Sequence, residues 1–139
     1  MIASAYPQLL AVFTRLHHFQ HLAAIASWDQ SAMMPSKGNE ARSRALAEMD
    51  VLIHQTVTDP ALATLLDAAE QAPLDELERA SVREMRRQWA LSNLLPARLV
   101  EAQSLAGSRC EHAWRSQRPA NDWAALLPNL RTVIGLARS

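Results

Sequence analysis

One cysteine, three glycines and a formal charge of zero are the scarcities that narrow this chain most. A single thiol, Cys110, permits no internal disulfide and no cysteine pair for a metal, which suits the cytosol, the compartment expected here. Three glycines leave little for a glycine-rich phosphate loop, and neither G-x-G-x-x-G nor the Walker pattern occurs. The 14 basic and 14 acidic side chains cancel, so no global field draws in nucleic acid or an anionic membrane. No apolar run approaches the roughly 18–20 residues of a spanning helix. Met1 to Leu10 also lack the basic-then-apolar order of a signal peptide. Neither nucleic acid nor membrane is expected as a partner.

What the chain has is alanine and leucine, with few β-branched residues, the composition of an all-α protein. Its 139 residues are enough for one domain with a real core. The expected architecture is about six helices in an antiparallel array over residues 1–139. Tyr6 to Ser27 carries Leu9, Leu10, Phe13, Leu16, Leu22, Ala23 and Ala26 at spacings of three and four, widened by Val12, Phe19 and Ile25. Asn39 to Val57 follows, with Ala45/Leu46, Met49, Leu52/Ile53 and Thr56/Val57 inward and Glu40, Arg44 and Glu48 outward at i,i+4 spacing. Thr58-Asp59-Pro60 pairs a capping side chain with proline at a first helical position, opening a short helix with Leu62, Leu65, Leu66 and Ala69.

Pro73 starts a fourth helix that runs to about Asn93, acidic early and arginine-rich late, as the helix dipole favours. Its expected inner face is Leu74, Leu77, Ser81, Met85, Trp89 and Ser92. Pro96 begins a fifth, whose stripe of Leu99, Ala102, Ala106, Cys110 and Ala113 is small enough for a central, closely packed position. Pro119-Ala120-Asn121-Asp122 breaks and caps. The last helix carries Trp123, Leu126, Leu127, Leu130, Ile134 and Ala137, with Pro128 expected to kink or divide it. Its stop at Ala137-Arg138-Ser139, without glycine or tail, reads as a helix cut short.

Between the first two helices lies Trp28-Asp29-Gln30-Ser31-Ala32-Met33-Met34-Pro35. Pro35 disfavours helix at Met34. An indole and two thioethers at such a break predict a loop tucked into protein, with Asp29 as the polar group that needs explaining. Asp29 has no second carboxylate nearby for acid–base work, so its expected role is a cap or a buried acceptor that fixes the turn.

Other candidates are thin. His17 and His21 stand four apart on one helix, a spacing at which two imidazoles can share a metal. No glutamate follows His17 and spacing indicates no third ligand, so they are weak candidates only. H-E-x-x-H and G-x-S-x-G are both absent. Cys110, Glu111 and His112 are adjacent, and adjacent helical residues point apart, which favours a structural thiol. Arg79, Arg83, Arg86 and Arg87 form the only basic cluster, diluted by acids, with Trp89 as its single nearby aromatic. That suits a solvated face or an acidic partner better than stacked bases. The residues alone give a helical domain with no self-contained active site: no catalytic residue, no assured metal ligand and no cofactor for this chain.

An ordered series of residues nonetheless resembles the N-terminal region of the carboxypeptidase Taq family of zinc metallocarboxypeptidases. It runs Leu16-His17-His18, Trp28-Asp29-Gln30 with Met34-Pro35, Gly38, Glu40-Ala41-Arg42 and His54 to Pro60. Late in the chain come Trp114, Asn121-Asp122-Trp123, Pro128-x-Leu130 and Leu136-Ala137-Arg138. Ala32 stands where many members carry threonine, which removes that hydroxyl's contact. The resemblance implies an all-helical fold with a deep cleft, a zinc or other divalent ion, removal of single C-terminal amino acids from peptides, and homodimers. The family's H-E-x-x-H helix, glutamate ligand and substrate-carboxylate residues lie beyond this sequence, so no ligand or catalytic position transfers onto it. Trp28, Asp29, Met34 and Pro35 are then a structural signature that holds a turn.

The expectation is therefore an N-terminal cleft-wall, lid or dimer-contact portion of such an enzyme, as a truncated product or cloned piece, inactive alone. The alternative is a non-enzymatic helical interaction module that self-associates through apolar faces. Peptide is expected as a substrate of the full-length enzyme only.

Overall fold

The computed structural model describes residues 4–139. Among them there are no strands and six α-helices: α1 (Ala5–Ala32), α2 (Asn39–Val57), α3 (Ala61–Glu70), α4 (Glu76–Ser92), α5 (Ala97–Gln117) and α6 (Trp123–Ala137). A single 3-10 turn, Ser36–Gly38, precedes α2. No described helix is long and apolar enough to cross a membrane.

The chain divides into two compact units, and both long helices at its start are shared between them. The first unit takes α1 through Leu22 together with Leu52–Pro96. Its core is apolar and contiguous: Leu9, Leu62, Leu66, Ala69, Val82 and Met85, flanked by Tyr6, Phe13, Leu74 and Trp89. The helix boundaries follow from local chemistry. Thr58 closes α2 by donating N–H and hydroxyl to the His54 carbonyl, at 2.9 and 2.8 Å. The Asp59 carboxylate accepts from Ala61 N–H at 2.9 Å, beside Pro60, as the sequence predicts for the start of α3.

In α4 the start is set by a capping box. Asp75 accepts from the Glu78 N–H at 2.8 Å, and Glu78 accepts from the Asp75 N–H at 3.0 Å. Of the expected inner face, Met85 is buried and Leu74 and Trp89 pack against the core. Val82 is buried with Met85, whereas Leu77, in the first turn, is 75% exposed. Arg79 donates back to the Leu74 carbonyl at the same helix start.

The second unit takes Ala23–Val51 and Ala97–Ser139. Its buried apolar residues are Leu46, Ala47, Ala106 and Leu126. In α5 only Ala106 of the expected stripe is buried; Leu99, Ala102, Cys110 and Ala113 are half-buried. The small-residue stripe does not give the tightly packed central position expected of it. α6 packs along α5, and Gln103 donates to the Leu136 carbonyl at 3.2 Å. Pro128 lies inside a continuous α6 and does not divide it.

The largest departure concerns α1, which continues through Trp28 to Ala32 instead of stopping at Ser27. Trp28, Asp29, Gln30, Ser31 and Ala32 contain no breaker, and Pro35 acts only on its immediate predecessor. Helical geometry then decides the burial. Gln30 is buried, so Trp28, two residues earlier and some 200° around the helix, points away at 63% exposure. Met33 is 70% exposed and Met34 half-buried. The expected tucked loop is instead the end of a helix with its indole in solvent.

A candidate structural site at the first helix break

The α1 exit is held by a polar knot within the second unit. The Asp29 carbonyl accepts from the N–H groups of Met33 and Met34, at 2.9 and 2.8 Å, which closes the helix. The Asp29 carboxylate pairs with Arg42 of α2, whose guanidinium also donates to the Ala26 carbonyl at 3.0 Å. One turn of sequence thus presents a charge to the arginine from its side chain and a lone pair from its backbone. Both partners are about a third exposed, so the pair fixes geometry more than it adds stability. The Asp29 side chain accepts from Arg42 at a position a third exposed, and is neither a helix cap nor a buried acceptor.

Gln30 completes the α1–α2 registration. Its amide donates to Asn39 Oδ1 at 3.0 Å and to Ser43 Oγ at 3.3 Å. Gln30 and Ser43 are both 4% exposed, and a buried amide with satisfied donors is an expensive group to misplace. Gly38 lies over Met34; a Cβ there would stand 3.0 Å from Met34 Cγ. On the α5 side, Ser31 donates to Glu111 at 2.8 Å and Arg115 pairs with the same carboxylate at 3.1 Å. The Ser31 hydrogen bond, then Arg115, holds the Glu111 carboxyl below its ordinary value.

The other sequence candidates fall elsewhere. His17 and His21 are both exposed on α1, in the first unit, and His17 lines a groove with Phe13, Gln20 and Glu84. Among the described residues, no group of three His, Cys, Asp or Glu side chains could hold a metal ion. Cys110 is a half-buried free thiol, while Glu111 turns to Ser31 and His112 lines a cavity with Met34 and Arg115.

Most of the basic cluster is occupied by its own unit. Arg86 pairs with Asp67 and, at 2.9 Å, with Glu70, and lies 5.5 Å from the Trp89 ring centroid. The Glu70 hydrogen bond leads in raising its pKa. Arg87 makes two bonds to Glu84, at 2.8 and 2.6 Å, which with Gln88 pull the Glu84 pKa down to about 2. Of the expected solvated face, Arg83 is an exposed member.

Sequence reasoning missed Arg42 as the partner of Asp29 and Gln30 as a buried amide. Both lie in the ordered series, but thirteen and nine residues from the groups they meet, so their pairing has no local signal.

With that geometry in place, comparison gives a consistent result. Residues 8–139 match the family model "Carboxypeptidase Taq (M32) metallopeptidase". Thermostable carboxypeptidase 1 of Thermus thermophilus is 37% identical, over 97% of this chain and 27% of its own length. Its Pyrococcus furiosus namesake is 29% identical, over 94% and 26% respectively. Among solved structures, Trypanosoma cruzi metallocarboxypeptidase 1 superposes with a TM-score of 0.73 at 40% identity, covering 95% of this chain and 27% of that one. A Pyrococcus furiosus carboxypeptidase gives 0.74 at 28% identity, covering 99% and 28%. The chain thus spans about 27% of the length of the relatives it matches.

Proposed function

This chain belongs to the carboxypeptidase Taq (M32) metallopeptidase family, and we propose that it is the N-terminal helical part of a metallocarboxypeptidase that removes C-terminal amino acids from peptides. The observation that carries the reading is coverage: 97% of this chain aligns with only 27% of a thermostable carboxypeptidase. The absence of H-E-x-x-H from the sequence supports it. In this reading the helices form a wall or lid of a peptide cleft and contribute to a dimer contact, in a cytosolic enzyme. The divalent metal is held by residues outside this chain, and no step of the hydrolysis is assigned to residues within it. The knot around Asp29, Gln30 and Arg42 serves that role by registering α1 on α2.

The chain alone is then inactive. Incubation with zinc or cobalt and an N-blocked dipeptide tests this: no free C-terminal amino acid is expected, and metal-dependent release would overturn it.

Exposed apolar side chains favour a second reading, a self-associating helical module without enzymatic activity. Ile25, Trp28 and Met33 in the second unit, and Leu77, Leu91 and Leu94 in the first, are open to solvent. Light scattering tests it: a concentration-dependent dimer is expected, and a monomer at high concentration removes the module.

A further inference from the structure

A groove of about 500 Å³ runs between α2 and α5, wholly within the second unit. Its direction follows from contacts already described. Gln30 bonds to Asn39 at the start of α2, and its neighbour Ser31 to Glu111 in the later part of α5. The two helices therefore run antiparallel along the groove. Asn39, Ser43 and Arg109 line one end, Glu48 and Glu101 the other, with Ala47 and Leu105 between. At about 1.5 Å per helical residue, the ends stand roughly 12–13 Å apart.

The first end holds donors that the chain does not use. Ser43 is 4% exposed; its Oγ accepts from Gln30 at 3.3 Å, yet its hydroxyl proton meets no acceptor among the described residues. Asn39 accepts from Gln30 through Oδ1 at 3.0 Å and likewise leaves its Nδ2 protons unspent. Arg109 makes no ion pair among the described residues, whereas Arg44 is engaged by Glu40 at 2.8 Å. At the other end Glu48 and Glu101 are carboxylates without a paired cation among the described residues. An unspent buried donor is a cost to the fold, and two unpaired carboxylates in one cavity repel each other. The groove is thus polarised, with donors and a positive charge at one end and negative charge at the other.

We propose that this groove binds a short extended peptide with two free termini. Its carboxylate is received by Asn39, Ser43 and Arg109, and its ammonium by Glu48 and Glu101. Length selects the occupant. A free amino acid carries both charges on one Cα and reaches only one end. An extended chain advances about 3.3–3.6 Å per residue, so about three or four residues span the gap. A polyamine or a dicarboxylate would satisfy one end and be repelled at the other. Ala47 and Leu105 offer only small apolar contacts between the ends, so the termini, more than the sequence, are recognised. All of these residues belong to this chain, so the inference goes beyond its reading as a portion of an enzyme and does not depend on it.

The test titrates trialanine, its N-acetyl form and its C-terminal amide into the intact chain at low ionic strength, where exposed charges are least screened. Backbone amide NMR shifts are the readout. Trialanine should saturate shifts at Asn39, Ser43 and Leu105, and blocking either terminus should weaken binding about tenfold. Arg109→Gln should remove the penalty for amidation and keep the penalty for acetylation. Glu48→Gln combined with Glu101→Gln should do the reverse. All three positions are exposed, so the Tm of each variant should stay close to wild type. Absence of saturable shifts with trialanine overturns the site, as does a blocked peptide that binds as tightly as the free one. Alanine or spermidine binding as tightly as trialanine overturns the spanning mode and the proposal with it. Variants that weaken every peptide alike reduce the groove to a diffuse charge effect and also overturn it. Each of these failures leaves the enzyme-portion reading intact, because that reading is tested separately by the chain's inactivity with metal.

Discussion

The two units are stabilised by different means. The first closes around a contiguous apolar cluster, from Leu9 of α1 to Met85 of α4. The second buries few apolar side chains and depends on directed polar contacts: Asp29 with Arg42, Gln30 with Asn39 and Ser43, and Ser31 with Glu111. Apolar burial is non-directional and scales with area, so the first unit specifies compactness. Hydrogen bonds add little net stability but penalise wrong geometry, so the second specifies position. That unit also leaves Trp28, Trp114 and Trp123 in solvent.

The contrast breaks most visibly at Leu66. It is fully buried in the apolar cluster, and Leu66→Ala should cost about 3–5 kcal/mol in chemical denaturation, at the upper end of leucine truncations. Leu126→Ala in the second unit should cost about 2 kcal/mol, because its half-solvated surroundings can relax into the gap. Equal costs at the two leucines would refute the difference. Arg42→Ala should cost about 1 kcal/mol, since water reaches the Asp29 left behind, but hydrogen exchange should show the α1 exit opening while the first unit stays protected. Exchange that rises equally in both units would show that the polar knot is not local to the second.

The smallest effect is a pH dependence. Glu111 is held below the ordinary 4.5, first by Ser31 and then by Arg115. A depressed carboxylate contributes stability above its unfolded pKa, and that contribution fades as pH falls through the folded value. The urea midpoint should therefore drop slightly below about pH 4.5 in wild type, and Glu111→Gln should flatten that drop. Glu84 is a control within the first unit. Its depression to about 2 comes from Arg87 and Gln88 on its own helix, so it should follow the presence of α4 and ignore changes at Ser31.

Much of this architecture was legible in residue order. The ends of α2 at Asn39 and Val57 are as predicted, because Gly38 before it and Thr58 and Pro60 after it act locally. Leu62, Leu66 and Ala69 were correctly placed inward for the same reason of simple periodicity. In α4 Leu74, Met85 and Trp89 face the core as predicted, whereas Leu77, in the first turn, is exposed and Val82 is buried in addition. Trp28 failed because size and apolarity suggest burial, while its direction is set by Gln30 on the opposite side of the same helix. The Asp29–Arg42 pair was invisible as a pair, since charge complementarity thirteen residues apart singles out no partner without the turn between them.

The Ser31–Glu111 bond joins residues separated by 80 positions, and this has a consequence for synthesis. At ~5–20 residues per second, a ribosome makes α1 roughly 4–16 s before it supplies the α5 carboxylate that α1 will meet. The α2 partners of Asp29 and Gln30, and the α3 and α4 residues that pack with Leu9, are all made within that interval. The residues of the apolar unit are complete at Pro96, before the first residue of α5 is made. Ser31 therefore waits longest for its partner among the α1 side chains of the knot, because Glu111 is the last of those partners to be made.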